Sequence, residues 1–258
     1  MEIERLAQRP AAPDFPLKLG TVSFLNMLPF EQDLRSCAPN WTILPARPAK
    51  LLGYVEQGAC DAAMTPAFDY LSNRARLRKL ARTCISSHGP AGSVFIFSKK
   101  PLRDAKEIEL DRNSHTSNAL ARLLLRGPLQ CPGIRFRTET TDEAETCVRI
   151  GDRAIRLAKS YPVVVDLGQA WLEWQGLPFV YAVWSTRGEK PWAQVDDFLA
   201  EMLNWNIGRL PQILEEKKQK EPGFDAEHAQ HYLTRMLLYE WSEAHEKSLN
   251  RFASLLGY

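Results

Sequence analysis

The spacing of apolar and polar positions divides the chain into short strands and helices. Lys18 to Phe24 is an apolar run with a polar tip at Asn26 and reads as a strand, and Phe30 to Ser36 has helical spacing. Trp41 to Pro45 reads as a short strand, Ala49 to Gln57 as a helix and Asp61 to Thr65 as a buried strand. This βαβαβ start with short connections predicts a mostly parallel sheet with right-handed crossovers. Ser93 to Ser98 supplies another apolar strand, which Lys99-Lys100-Pro101 ends.

A second set of units follows. Glu107 to Leu110 reads as a short strand and Thr116 to Leu125 as a strongly apolar helix with Leu120, Leu123 and Leu124 in its core stripe. Ile134 to Thr138 and Val148 to Ile150 read as strands, and Val163-Val164-Val165 as a fully buried one. The apolar run Gly176 to Trp184 is long enough to leave this second unit and re-enter the first. Beyond Pro191 the pattern is helical, with one helix at Gln194 to Trp205 and a long one from Ala226 to Glu240. The expected organisation is a flexible lead-in over residues 1–16, a discontinuous first lobe over 17–98 and 178–258, and an inserted second lobe over 99–177. One domain interrupting another, with two crossings, is the plan of two-lobed solute-binding proteins that close on a ligand.

Composition removes several function classes. Lys+Arg 33 against Asp+Glu 31 leaves a formal net charge of +2, too balanced for a nucleic-acid partner, and the mixed run Glu215 to Lys220 reads as a solvated helix end. Cys37, Cys60, Cys84, Cys131 and Cys147 are scattered, which suggests a reducing compartment. The first ten residues are charged, and no apolar run approaches the roughly 20 residues that cross a bilayer, so a cytoplasmic protein with no membrane partner is expected.

In an open α/β sheet a ligand sits beyond the carboxyl ends of the strands. That places Ser23 and Asn26 after the first strand, Thr65 after the third, Gly92 and Ser93 before the crossing strand, and Gly151 and Asp152 after a later one. Asn26 has two readings, a ligand contact or a cap of the helix that Pro29 helps to start. Ser114, His115, Thr116 and Ser117 put hydroxyls at a helix start, which suits a carboxylate or phosphate and equally an ordinary N-cap. His115 could also move protons or stand as a solvated loop residue. His228 and His231 lie three apart on a helix, with no third metal ligand suggested. The candidate chemistry is hydroxyls, amides and glycines rather than acids and bases.

These segments carry a family resemblance. Gly20-Thr21-Val22-Ser23-Phe24-Leu25-Asn26, Leu52 to Ala63, Gly89-Pro90-Ala91-Gly92-Ser93-Val94, Ser114-His115-Thr116-Ser117, Ile150-Gly151-Asp152, Asp166-Leu167-Gly168 with Trp171, and Gly176 to Val180 with Ala182-Val183-Trp184 occur in order over residues 18–184. In this the chain resembles the chorismate dehydratase branch of the menaquinone-biosynthesis proteins of the futalosine route. The resemblance implies an α/β, two-lobed periplasmic-binding-protein-like (type II) fold with a helical C-terminal tail. It also implies loss of water from chorismate, a small dicarboxylate, to give 3-[(1-carboxyvinyl)oxy]benzoate, without metal or organic cofactor. By the same resemblance Asn26 and Ser93 act at the reacting end, and Ser114, Thr116 and Ser117 receive carboxylates. The proton acceptor is left open between a carboxylate of the substrate, Asp152 and His115. Phe24 replaces a frequent tyrosine, Ala91 a branched apolar residue, Arg149 an apolar one, and Thr65-Pro66-Ala67 a serine-rich stretch. The alternatives are the sister branch acting on a cyclic futalosine-type intermediate, or a cytoplasmic solute-binding or sensor domain; a homodimer is allowed by the sequence.

Overall fold

The computed structural model describes residues 9–138 and 144–258. The chain runs through β1 (Leu17–Val22), α1 (Leu28–Glu31), α2 (Leu34–Cys37), β2 (Trp41–Ala46), α3 (Pro48–Glu56), β3 (Ala62–Pro66), α4 (Ala67–Asn73) and β4 (Arg78–Ser87). It continues through β5 (Val94–Ser98), β6 (Glu107–Glu109), α5 (His115–Arg126), β7 (Arg135–Arg137), β8 (Thr146–Ile150), α6 (Gly151–Leu157), β9 (Val163–Asp166) and α7 (Leu167–Gln175). β10 (Phe179–Thr186), α8 (Trp192–Gly208), α9 (Leu210–Lys220), α10 (Ala226–His231), a π-helical turn (Tyr232–Met236), β11 (Leu238–Glu240) and α11 (Glu243–Leu256) complete it.

Two sheets result, a six-stranded one in the order β11-β4-β10-β3-β1-β2 and a five-stranded one in the order β7-β6-β8-β5-β9. The expectation of mostly parallel pairing holds for β1 with β2 and β3, and for β6 with β7 and β8. It fails at the strands flanking the crossings, because β10 is antiparallel to β3 and β4, and β5 is antiparallel to β8 and β9. β5 therefore belongs to the second sheet, and the first crossing lies between Ser87 and Val94 rather than after Ser98.

Local departures from the sequence reading have local causes. The helix expected at Phe30 to Ser36 is two short ones, broken at Asp33 with φ 58°. The Asn206 amide of α8 takes up the carbonyls exposed near the break, donating to Pro29 O at 3.0 Å and Gln32 O at 2.9 Å. β9, expected to be fully buried, is an edge strand with Val164 38% exposed. The long helix expected from Ala226 to Glu240 ends in the π turn, and Leu238 and Glu240 pair with Ser86 and Thr83 of β4. Of the lead-in, residues 1–8 lie outside the described residues; beyond them the chain is tied down, with Ala12 N donating to Cys37 O at 2.9 Å.

Aromatic residues centre two of the buried clusters. Phe30 meets Trp184 edge-on at 5.6 Å in the first, and Trp171 meets Phe179 at 5.1 Å and Phe252 at 6.0 Å in the second. The second cluster joins Cys84 and Val183 of the first sheet to Ile96 and Val148 of the second, so the lobes share apolar packing. Arg149, 1% exposed on β8, is matched by the carboxylate of Glu109 on β6, which makes a buried cation tolerable in a strand where an apolar residue was expected. All five cysteines are free and buried, and burial raises the thiols of Cys60 to about 11 and Cys84 to about 12.

Candidate active site between the lobes

A cavity opens where the two sheets face each other. β1 and its following turn give Val22, Phe24 and Asn26, β3 gives Met64 and Pro66, and β10 gives Tyr181. The second lobe supplies Ser114, Thr116, Ser117, Ile150 and Gly151, the crossing supplies Ser93 and Val94, and the carboxyl-terminal segment supplies Tyr232 and Leu237. The space between these atoms is about 640 Å³, including open solvent, with about 70 Å³ available to the centres of water molecules, so the cleft is narrow. None of the residues lining it is an Asp, Glu, Lys, Arg or His.

Asn26 sits in a 3-10 turn, Leu25–Met27, and caps neither that turn nor α1; Phe24 and Met27 hold those positions. Its Oδ1 is buried without a hydrogen-bond partner among the described residues. An unpaired buried acceptor costs about 1–3 kcal/mol, which a ligand hydroxyl would relieve. Hydrogen bonding to Ser93 and to Asn26 favours the ionised form of the Tyr232 phenol. Ser93, 4% exposed, shares a hydrogen bond of 2.9 Å with Tyr232 Oη. Burial nonetheless dominates, with the fields of Asp152 and Asp166 in the same sense, and pushes the Tyr232 phenol far above its ordinary value.

The opposite wall is the start of α5. Ser114 is its N-cap, accepting from Ser117 N at 3.2 Å and donating to Ser117 Oγ at 2.7 Å. Thr116 Oγ1 accepts from Phe68 N at 3.1 Å. The Ser117 and Thr116 hydroxyl protons remain to donate, beside the positive end of the helix, so this wall suits a carboxylate.

The crossing strands are pinned by Asp166, whose carboxylate accepts from Ala91 N, Gly92 N, Gly168 N and Gln169 N at 2.8–3.1 Å. Gly92 has φ +68°, and a Cβ there would lie 2.4 Å from Met236 Sδ. A Cβ on Gly168 would lie 2.4 Å from Tyr181 Oη and 2.5 Å from Gly89 O, so α7 starts directly against the crossing. Gly151 N donates to Ser93 O at 2.7 Å, which ties α6 to the same point.

Asn26, Ser93, Ser114, Thr116, Ser117 and Gly151 thus converge, while five other expected contacts stand off the cavity wall. Thr65 is buried on the other side of β3, hydrogen-bonded to Ser185 and Val183 O, because alternation turns Met64 and Pro66 inward. Ser23 and Asp152 are exposed and line an adjoining outer depression. His115 points away from the cavity, with Nδ1 2.7 Å from Asp69 Oδ1, and this hydrogen bond raises its pKa. Gly92 acts through its N–H to Asp166. Sequence reasoning missed Tyr181 and Tyr232. Tyr181 lay within the apolar returning run, and Tyr232 was hidden in an apparently continuous amphipathic helix. Among the described residues no group of three or more His, Cys, Asp or Glu is placed to hold a metal ion.

The family described as menaquinone biosynthesis matches residues 17–257. The chain is 28% identical to a chorismate dehydratase of Thermus thermophilus, over 94% of this chain and 96% of that protein. Its fold is similar to that of a protein from Archaeoglobus fulgidus, with TM-score 0.76 and 14% identity over 94% of this chain and 97% of the other. It is also similar to the periplasmic aliphatic sulphonate binding protein of Escherichia coli, with TM-score 0.65 and 13% identity over 95% and 92%. These likenesses place the fold among the two-lobed periplasmic-binding-protein architectures. The chain belongs to the menaquinone-biosynthesis family.

Proposed function

We propose that this chain is a hydro-lyase that converts chorismate to 3-[(1-carboxyvinyl)oxy]benzoate, in the cytoplasm, on the futalosine route and without a cofactor. The similarity to the Thermus thermophilus chorismate dehydratase supports the activity. The observation that carries it is a narrow cavity lined by apolar residues, hydroxyls and one amide with an unpaired oxygen, with no ionisable acid or base of ordinary strength on its wall. Such a wall can orient a dianion whose ring becomes aromatic on losing water, and that product supplies much of the driving force.

In this reading the hydroxyls of Thr116 and Ser117 hold a carboxylate at the α5 start, and Asn26 and Ser93 meet the departing ring hydroxyl. The ring C–H electron pair becomes the new double bond, the hydroxyl leaves with its own pair, and the released proton and hydroxide make up the water. Asp152 and His115 stand off the cavity wall, which favours a carboxylate of the substrate as the proton acceptor. Purified protein mixed with chorismate is expected to consume the diene absorbance and form the benzoate product. Asn26→Ala is expected to lower turnover about 100-fold. Binding without product would turn the reading toward a sensor, and no binding would overturn it.

A further inference from the structure

The Phe24 ring lies where two spaces meet. It lines the cavity between the lobes and also the outer depression beside it, and no other described residue lines both. The two spaces differ in chemistry. The cavity wall holds no Asp, Glu, Lys, Arg or His, and about 70 Å³ is open to the centres of water molecules. The depression has Glu31, Asp152, Arg156, Lys217 and Glu221 on its wall and about 500 Å³ open to the centres of water molecules. An uncharged, narrow chamber therefore adjoins a charged, wet one, and the boundary runs through Phe24.

Both lobes build this boundary. Phe24 comes from the turn after β1, and facing it is Gly151, the first residue of α6 in the second lobe; a Cβ on Gly151 would lie 3.7 Å from the Cδ1, Cε1 and Cζ atoms of the ring. Gly151 has φ +64°, a left-handed conformation that glycine adopts without strain, and its missing side chain leaves the ring room to lie along the backbone. The chain is fixed on either side of the contact. Phe24 N donates to Val22 O at 2.8 Å, Phe24 O accepts from Met27 N at 3.0 Å, and Gly151 N donates to Ser93 O at 2.7 Å. The ring itself is half-buried, carries no polar atom and meets Gly151 through dispersion alone. The part of the boundary free to move is thus the ring, and the depression gives it space to turn into.

We propose that Phe24 is the gate through which chorismate enters and the benzoate product leaves, with the outer depression as the vestibule. With the ring on Gly151 the chamber is shut over the ligand; with the ring turned outward the two spaces join. A shut chamber serves the dehydration in two ways. It keeps bulk water from the hydroxyls and the amide that orient the dianion, so their hydrogen bonds act in surroundings of low dielectric. It also holds the substrate through the reaction and makes passage in both directions depend on one side chain. Phe24 caps the 3-10 turn that carries Asn26, so the ring closes beside the amide that meets the substrate. This rests on the chorismate reading above and adds the route by which the site is reached.

The test measures association and dissociation of the benzoate product by stopped flow, together with turnover of chorismate, in wild type, Phe24→Ala and Phe24→Trp. Removing a gate opens the path in both directions. In Phe24→Ala, kon and koff are each expected to rise about tenfold, leaving Kd within about threefold. The larger ring of Phe24→Trp is expected to slow both. A side chain that only touches the ligand behaves differently, since its loss raises koff and weakens Kd while kon stays as it was. That pattern, or unchanged rate constants in Phe24→Ala, would overturn the proposal. If Phe24→Ala does not fold, Phe24→Leu, which covers less of Gly151, is expected to raise both rate constants about threefold, and an unchanged kon there would overturn it. Wild-type protein that neither turns over chorismate nor binds the product overturns the chorismate reading and this proposal together; wild type that turns over chorismate, with kon unaltered by Phe24→Ala, overturns this proposal alone.

Discussion

His115 Nδ1 lies 2.7 Å from Asp69 Oδ1, at the junction of α4 and the start of α5. The hydrogen bond raises the imidazole pKa above its ordinary value of 6.5, outweighing partial burial. A raised folded-state value stabilises the folded chain most where the imidazole is charged in both states, below about pH 6.5, and that contribution is lost as pH rises through the folded value. The side chain is 45% exposed, so solvent limits the contribution to about 1 kcal/mol or less. The denaturation midpoint of His115→Gln is therefore expected below that of wild type at pH 6 and converging with it toward pH 9; equal offsets at both pH values would contradict the assignment. His115 and Thr65 mark where single residues were illegible in sequence. A histidine among hydroxyls at a helix start looks like a site residue, and only the tertiary placement of Asp69 turns it away. Thr65 occupies a strand end, but one step of the two-residue alternation decides which face receives its hydroxyl. Asn26 and Ser93 were legible because each sits where a strand meets the cleft.

The crossing between the sheets depends on a single carboxylate. Asp166 caps α7 through Gly168 N and Gln169 N and simultaneously receives Ala91 N and Gly92 N from the other crossing segment. Removing such a cap costs about 0.5–2 kcal/mol. Here two more N–H groups would lose their partner, beside the residue that carries the Ser93 hydroxyl. Asp166→Ala is expected to lower the melting temperature and turnover together, with Asp166→Asn intermediate because it keeps one acceptor oxygen; an unchanged melting curve for Asp166→Ala would count against the clasp. Elements with strong periodicity, such as α3, α5 and α8, were legible to within a few residues. β4 was not, because Arg78–Ser87 alternates poorly and owes its strand to pairing with β10 and β11. The π turn was invisible for a related reason, since residues 226–240 are amphipathic throughout and their path is set by the open edge of β4.

Across the whole molecule, the shared cluster of Cys84, Val183, Ile96 and Val148 binds the lobes together through apolar contact. Lobes joined by a common core unfold as a unit, so calorimetry is expected to show one transition rather than two. A ligand bound in the cleft should raise that transition, by an amount equivalent to about 2.7 kcal/mol at a hundredfold excess over Kd. Two transitions, of which a ligand moves one, would mean that the shared cluster does not couple the lobes. The strand order carries a further consequence for how the chain is made. β10 lies between β3 and β4, in the middle of the first sheet, yet it follows the whole of the second lobe in the chain. During synthesis β1, β2 and β3 emerge early and can associate, but the seam between β3 and β4 stays vacant until residues 179–186 leave the ribosome. The inserted lobe is thus complete before its host, and the stretch that closes the seam is also the one that brings Tyr181 to the cavity.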